Sequence, residues 1–433
     1  MIHAEAVTPV EVIIPPDKVL GSPSYGNIIA LRDGRLMWCW ANGYQKPPEM
    51  AANYSDDGGR TWSDAKPLRY QNGEHVSGAL NGNLVRLPSG TLGLAYNHEI
   101  IKNRPPGLFG SLDRAAFIVS RDEGETWSDP VPIHPPDRSV MLTNDRAVVL
   151  STGRIIIPVY SGIGPRFYTP DPKNITRHGE TFRNGHSYVM WYAYCYYSDD
   201  QGLTWRRSEN EVYAMIDRGT VASDGMEEPS IVELKDGRLM MFARTRMGCV
   251  WRSYSEDGGN IWYEAEPVRE LVSVPSSILL KRIPDTGDLL VIWNQVSAWE
   301  TMTGLYRHRL SCAISKDEGQ TWGHFKNLES LDDVTKLEPQ PLEHVLLGDL
   351  RQPVDRTRYH RAPGMLRSSY PSCAFHAGKA IITYGYSTLG DKGVIEQTYR
   401  TTPAEIAAKC GTGPEARANK VRVLPIEWFY AES

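Results

Sequence analysis

The sequence has no run of 18 apolar residues, no excess of positive charge, no pair of cysteines at metal-ligand or redox spacing, and no basic-then-apolar leader pattern at its start. Each absence removes a class of function. Without a long apolar run there is no candidate membrane-spanning helix. With 47 Lys and Arg against 52 Asp and Glu, a net charge of -5 and a pI near 6.2, the chain has no global positive field with which to hold a nucleic acid or an anionic membrane. The six cysteines, Cys39, Cys195, Cys249, Cys312, Cys373 and Cys410, stand at wide, irregular spacing, most of them in apolar strand-like runs. They read as small core residues, not as disulfides or metal ligands. The opening MIHAEAVTPVEVIIPP lacks the charge and cleavage pattern of a secretory leader, so the expected compartment is the cytoplasm, or the periplasm or exterior if a leader was removed. What remains, at 433 residues, 41% hydrophobic and 23% charged, is a globular protein able to bury a sizeable core.

Two motifs recur, and together they define the fold class. The first is Ser-x-Asp-x-Gly-x-Thr-Trp, which occurs as SDDGGRTW (55–62), SRDEGETW (120–127), SDDQGLTW (198–205), SEDGGNIW (255–262, with Ile261 in place of Thr) and SKDEGQTW (315–322). In a tight turn between strands, Asp57, Asp122, Asp200, Asp257 and Asp317 are placed to accept hydrogen bonds from their own turn's amides, and the following Gly permits positive φ. The closing Trp supplies an apolar body to fill space between neighbouring sheets. Each box carries only about two carboxylates and no distal bidentate Glu, so calcium is not expected there, and no metal or cofactor is expected elsewhere.

The second motif is a strand, a Gly-containing turn and another strand: 27–40, 83–96, 147–160, 230–243, 278–293 and 373–386. Asp-Gly, Ser-Gly and Thr-Gly between alternating apolar runs are hairpin signals. Each of the first five hairpins is followed by a box, giving units of about four strands. The architecture implied is all-β, a single six-bladed propeller domain over 1–433 with four-stranded antiparallel blades. The sixth hairpin has no box, and the terminal segments 11–16 and 421–430 are expected to complete its blade. A short helix is expected at 403–410. Two stretches, 161–187 and about 323–367, break the rhythm and hold Arg177, His178, Arg183 and His186, and Arg351, Arg356, Arg358, His360, Arg361 and Arg367. Long loops on a rigid scaffold that gather Arg, His and aromatics suit the rim of a site for an anionic or sugar ligand.

Counting nine residues back from the hairpin glycines gives Tyr25, Asn81, Asn144 and Glu228, with Ser277 and Tyr370 near the corresponding points of hairpins five and six. If the blades are equivalent, these residues ring one end of the central channel and form a pocket.

The five boxes on six hairpins resemble the sialidase superfamily over roughly residues 20–390. That resemblance implies a Tyr nucleophile activated by a Glu, an Asp acid/base, and three arginines that clamp a substrate carboxylate. EEPSIVELKDGRLMMFAR resembles the segment with the Glu and the second Arg, implying Glu228 and Arg244. RHRLSCAISKDEGQTW resembles the strand with the third Arg, implying Arg307, with Arg309 as the alternative. SYPSCAFHAG resembles the nucleophile segment, implying Tyr370. Two features depart from the family. Where the first Arg is expected the sequence reads SPSYGNIIAL, with Ser24 or Tyr25 near that position, and the Arg282–Pro284 tripeptide lies inside hairpin five. The region of the acid/base Asp offers only Glu49, leaving Asp145, His98 and Glu99 as other candidates. The reading is a sialidase-like glycoside hydrolase acting on an acidic or other glycan, with Tyr370 and Glu228 catalytic and Arg244, Arg307, Tyr25, Asn81, Asn144 and Asp145 binding. The alternatives are a polysaccharide lyase on uronate-containing glycans and a non-catalytic glycan-binding propeller. With two arginines at the matched positions, poor activity on simple sialosides is expected unless a loop Arg enters the gap.

Overall fold

The computed structural model describes residues 9–14, 26–42, 49–78, 80–101, 112–136, 140–163, 174–177, 180–183, 190–216, 222–273, 276–297, 300, 307–342, 366–388 and 418–432. Its six hairpins close where the Gly turns predict. In the first, Leu31 N donates to the Arg35 carbonyl at 2.8 Å and Gly34, at φ 88°, donates to Leu31. Each hairpin gains a third and a fourth strand outward from the axis, making six four-stranded antiparallel sheets.

Blade one is Asn27–Ala30, Leu36–Asn42, Glu49–Ser55 and Lys66–Pro67. Blade two is Leu80–Arg86, Leu92–Ile101, Leu112–Ser120 and Val131–Pro132. Blade three is Val148–Val149, Ile155–Ile163, Met190–Ser198 and Arg206–Arg207. Blade four is Glu227–Glu233, Leu239–Arg244, Cys249–Ser255 and Glu266–Val272. Blade five is Leu279–Arg282, Leu289–Asn294, Leu310–Ser315 and Gly323–Glu329. Blade six is Leu366–His376, Lys379–Thr388 and Ala418–Pro425, closed at its outer edge by Val10–Ile14. There Val12 pairs with Val421 and Glu11 with Arg422, so the two ends of the chain share one sheet and seal the ring.

The boxes join the third and fourth strands of blades one to five, at the periphery. In the first, Ser55 Oγ donates to Asp57 and accepts from Gly59 N, while Asp57 also takes the amides of Arg60 and Thr61 and the Thr61 hydroxyl at 2.7 Å. Each box leans on the preceding blade. A methyl group added at Gly202 would lie 2.3 Å from the ring of Phe117 in blade two, and one at Gly59 would lie 3.3 Å from Ile381 and Val423 in blade six. In boxes two and five the residue before Gly is a Glu that binds its own blade's first strand, Arg86 to Glu123 and Arg282 to Glu318. The same Glu takes the backbone amide of Arg32 or Lys235 in the preceding hairpin. The Arg282 of the Arg-Ile-Pro tripeptide is thus an inter-blade tie.

At the axis the inner strands are stitched by polar side chains. Asn27 exchanges two bonds with Leu84, Asn83 Oδ1 accepts the amides of Arg146 and Ala147, and Ser230 Oγ accepts Leu280 N. Between blades lie apolar clusters that take one face from each neighbour, as where Trp38 and Trp40 meet Ile381, Val421 and Val423. The five described cysteines are free and buried inside the sheets, as their apolar context predicts; burial pushes the thiols of Cys195, Cys249 and Cys312 up to about 12. Cys410 lies outside the described residues.

Two details differ from the sequence reading. The segment expected to be loop from about 323 begins later, because Gly323–Glu329 is the fourth strand of blade five. A ribbon of Tyr213–Ile216 with Ala222–Gly225 follows blade three; its second strand has no apolar alternation to announce it. Within 161–187, Asn174–Arg177 pairs with Glu180–Arg183. The helix expected at 403–410 lies outside the described residues.

Candidate active site

Three inner-strand residues, Asn81 (φ 58°), Glu228 (53°) and Tyr370 (56°), and Asp145 (56°) just before the inner strand of blade three have left-handed backbone. In blades two, four and six this residue falls where the strand register shifts, between Leu80 and Asn83, Glu227 and Ser230, and Ser369 and Ser372. For a non-Gly residue the conformation costs about 1–2 kcal/mol. It interrupts the strand's alternation and turns one side chain out of the sheet toward the axis. Strain of this kind, repeated around one end of a channel, gathers at functional sites.

The bulge in blade four brings two adjacent carboxylates to one guanidinium. Arg244 Nη1 donates to Glu228 Oε1 at 2.8 Å and Nη2 pairs with Glu227 Oε2 at 3.0 Å, while Arg246 lies 3.6 Å from Glu227 Oε1. Glu228 is 3% exposed. Its Oε1 also accepts the hydroxyl of Tyr370, 142 residues away in blade six, at 2.8 Å. The second carboxylate oxygen, Oε2, is buried without a hydrogen-bond partner among the described residues, the type of atom that water or a ligand satisfies. Arg307, itself left-handed at φ 66°, stands over the Tyr370 ring at 5.4 Å, and its carbonyl accepts Ser368 N.

This geometry separates Arg307 from Arg309. Arg309 is 1% exposed and its guanidinium binds Glu300, Asp332 and the Gln295 carbonyl, which ties the fifth blade's loops together. Glu300, Asp332 and His308 offer ligand atoms close enough for a cation, but Arg309 already supplies the positive charge. Burial would raise the Glu300 carboxyl, yet His308, the Ser297 amide and Arg309 hold it down at about 2.

Asn81 and Asn144 spend their amides on the scaffold. Asn81 Nδ2 donates to Asn97 Oδ1 and the Leu142 carbonyl, and Asn144 Nδ2 donates to the carbonyls of Gly26 and Tyr370. Asp145 is buried and takes Lys281 Nζ at 2.6 Å, Asn27 Nδ2 at 3.2 Å and Cys373 N at 2.8 Å, joining blades one, three, five and six. A carboxylate so occupied is an axle pin, with little left to offer a reacting oxygen. Of the other acid/base candidates, Glu49 binds His75 Nδ1 at 2.9 Å, and His98 lies within 3.3 Å of the Ser77 and Tyr96 hydroxyls. Glu49 and Ser77 form a backbone bridge, so both candidates occupy the same rim of blades one and two. Tyr25, Ser24, the side chain of Glu99 and loop arginines 351–361 lie outside the described residues.

Four residues near the pair escaped sequence reasoning: Glu227, Arg246, Arg146 and Tyr160. Tyr160 packs edge-on against Trp191 at 5.5 Å. Burial, followed by the charges of Glu228, Tyr370 and Glu227, raises its hydroxyl well above the ordinary tyrosine value, so it stays protonated. The sequence carries a signal for it: Tyr160 stands seven residues after the turn Gly153, as Arg244 does after Gly237 and Asn97 after Gly90.

A family model, the BNR repeat-like domain, matches residues 103–379, more than half of the chain. The chain belongs to this family, within the sialidase superfamily. It is 27% identical over 324 residues to a sialidase of Micromonospora viridifaciens, covering 69% of this chain and 43% of that protein. It is 25% identical over 186 residues to an anhydrosialidase of Macrobdella decora, covering 41% and 19%. The chain thus spans less than half the length of these curated relatives. Among solved structures it resembles a Dyadobacter fermentans protein of unknown function (TM-score 0.57, 16% identity, 97% of this chain and 99% of that one). It also resembles the NanB sialidase of Streptococcus pneumoniae (TM-score 0.54, 13% identity, 98% and 72%). At these identities the structural likenesses speak for the fold alone.

Proposed function

We propose that this BNR-family propeller is a sialidase-like glycoside hydrolase in which Tyr370 is the nucleophile and Glu228 its base. The observation that carries the reading is the 2.8 Å contact between Tyr370 Oη and the buried Glu228 carboxylate, presented by two left-handed residues of different blades. Burial of the carboxylate strengthens its interaction with the phenol, and Arg244 orients it. In the step this arrangement supports, Tyr370 Oη bonds to the anomeric carbon as its proton passes to Glu228 Oε1. The glycosidic bond breaks, and the leaving oxygen takes a proton from an acid on the rim of blades one and two, where Glu49 and His98 stand. Water then releases the sugar by the reverse transfers. A neutral tyrosine suits an acidic sugar, since a carboxylate nucleophile would meet like charge. Arg307 over the Tyr370 ring and the Arg244–Arg246 pair supply positive charge on that side.

The test is a screen of sialosides, uronate-containing oligosaccharides and neutral glycosides with wild type and Tyr370→Phe. Turnover that Tyr370→Phe abolishes is the expected result. Equal activity in the two proteins sinks the nucleophile assignment, and an unsaturated product absorbing in the ultraviolet marks a lyase. Binding without turnover by wild type marks a glycan-binding module. Efficient cleavage of simple sialosides that survives alanine at each loop arginine would overturn the expectation that the two-arginine clamp handles them poorly.

A further inference from the structure

Arg146 and Arg309 are the two arginines among the largest fully buried side chains. Arg309 is matched by two carboxylates. Arg146 touches none among the described residues: Nη1 donates to the carbonyls of Asn144 (2.8 Å), Asp145 (3.3 Å) and Pro371 (3.4 Å), and Nη2 to Ser277 Oγ at 2.9 Å. The neighbouring Asp145 carboxylate is turned away, held by Lys281, Asn27 and Cys373 N. A guanidinium enclosed with only neutral acceptors is costly to bury, and simple packing does not require it.

Its bonds locate it against the residue that bears the phenol. Pro371 follows Tyr370 in sequence, and Asn144, whose carbonyl takes Nη1, sends its amide to the Tyr370 carbonyl. The charges with which Arg146 interacts are those of Asp145, Glu228 and Tyr370. We propose that Arg146 is a positioning residue, a buried cation at the axis whose charge stabilises the phenolate form of Tyr370 and holds the backbone that presents it. This rests on the reading of Tyr370 as nucleophile. The proton still passes from Tyr370 Oη to Glu228 Oε1, and Arg146 changes neither bonds nor protonation. Burial draws its own pKa down to about 10, which leaves it charged at neutral pH; the attraction is mutual, so whatever an anionic Tyr370 gives the guanidinium it receives.

Among the described residues, the groups about Tyr370 include Glu228 from blade four, which takes its hydroxyl, Arg307 from blade five over its ring, and Tyr160 from blade three; Glu227 and Arg244 act through Glu228, and Asp145 and Lys281 through Arg146 and the axis. They are common to every protein compared, so the measurement is a difference. Ultraviolet titration of phenolate, taken as each protein minus the same protein carrying Tyr370→Phe, reads Tyr370 alone and needs no substrate. Arg146→Gln is expected to raise the Tyr370 midpoint by about one pH unit, a tenfold loss in its acid constant, and Arg146→Lys to recover at least half of that. An unmoved midpoint in a folded Arg146→Gln protein overturns the proposal, as does a Lys variant no better than Gln. If Arg146→Gln does not fold, Ser277→Ala, which removes the side-chain acceptor that holds Nη2, decides in its place by the same difference titration: a raised Tyr370 midpoint is expected, and an unmoved one overturns the proposal. A protein that shows the shift but hydrolyses nothing contradicts the hydrolase reading instead, so the two failures are told apart.

Discussion

Blades two and four have the same backbone device and different chemistry. In both, a left-handed residue interrupts the first strand, Asn81 or Glu228, and meets a side chain 16 residues later on the second strand, Asn97 or Arg244. The registers also agree, Leu80 opposite Asn97 and Glu227 opposite Arg244. In blade two the pair is two amides, and both donate onward to main-chain oxygens of the 140–142 segment. In blade four it is an ion pair with a second carboxylate behind it, a carboxylate oxygen without a partner among the described residues, and a phenol from another blade. The repeat therefore provides a re-aimed inner-strand side chain in several blades, and residue identity decides whether it fastens the axis or faces a reaction.

The largest expected effect separates the two blades by activity. Tyr370→Phe and Glu228→Gln should each lower turnover by about 10³-fold or more, while Asn81→Ala in blade two should change it only a few-fold. Steady-state kinetics on whichever glycan the screen identifies would check this, and a comparable loss in Asn81→Ala would erase the distinction. The next effect is on stability. Arg244→Ala leaves Glu228 buried without its cation, and Glu227 with Arg246 at 3.6 Å, and should cost about 3–5 kcal/mol. Asn97→Ala strands one amide and should cost about 1–3 kcal/mol. Urea denaturation with both variants measures the contrast directly.

A third prediction uses a feature the blades share. The carboxyls of Asp122 and Asp257 lie below the ordinary carboxylate value: burial acts upward and is outweighed by the Thr126 hydroxyl and amide for Asp122, and by the Ile261 amide for Asp257, with Ser120 and Ser255 adding to each. A folded pKa below the unfolded one gives stability that is complete above about pH 4 and is lost as pH falls through the folded value. Asp122→Asn and Asp257→Asn should each flatten that acid dependence, read from urea midpoints between about pH 5 and pH 2. The smallest effect sharpens the comparison. Thr126 Oγ1 donates to Asp122 at 2.6 Å, whereas blade four has Ile261, 45% exposed, at that position. Ile261→Thr should restore the bond and add about 0.5–1 kcal/mol without altering turnover.

The local features were legible in the sequence because each depends on a few consecutive residues. Six Gly turns between alternating apolar runs specify six hairpins, and five boxes specify the peripheral turns, since Ser55, Asp57, Gly59 and Thr61 satisfy one another within a single turn. That terminal strands seal blade six was also readable, because it needs only two leftover strands and one unpaired edge, although the second strand runs Ala418–Pro425 and Ile426–Phe429 of the expected 421–430 forms a 3-10 turn. The site required tertiary structure. Glu228 and Tyr370 are 142 residues apart, and only ring closure puts one hydroxyl against one carboxylate. The resemblance set Arg307 before Arg309, but the physical ground for the choice is tertiary: Arg309 turns into Glu300 and Asp332. In blade three the left-handed position falls on Asp145, one residue past the counted Asn144, and that shift makes Asp145 a pin between blades. The physical reason is that the side-chain directions of Glu228, Tyr370 and Asp145 each depend on one left-handed φ angle with partners from other blades, while Arg309 is fixed by loop carboxylates that no strand pattern places.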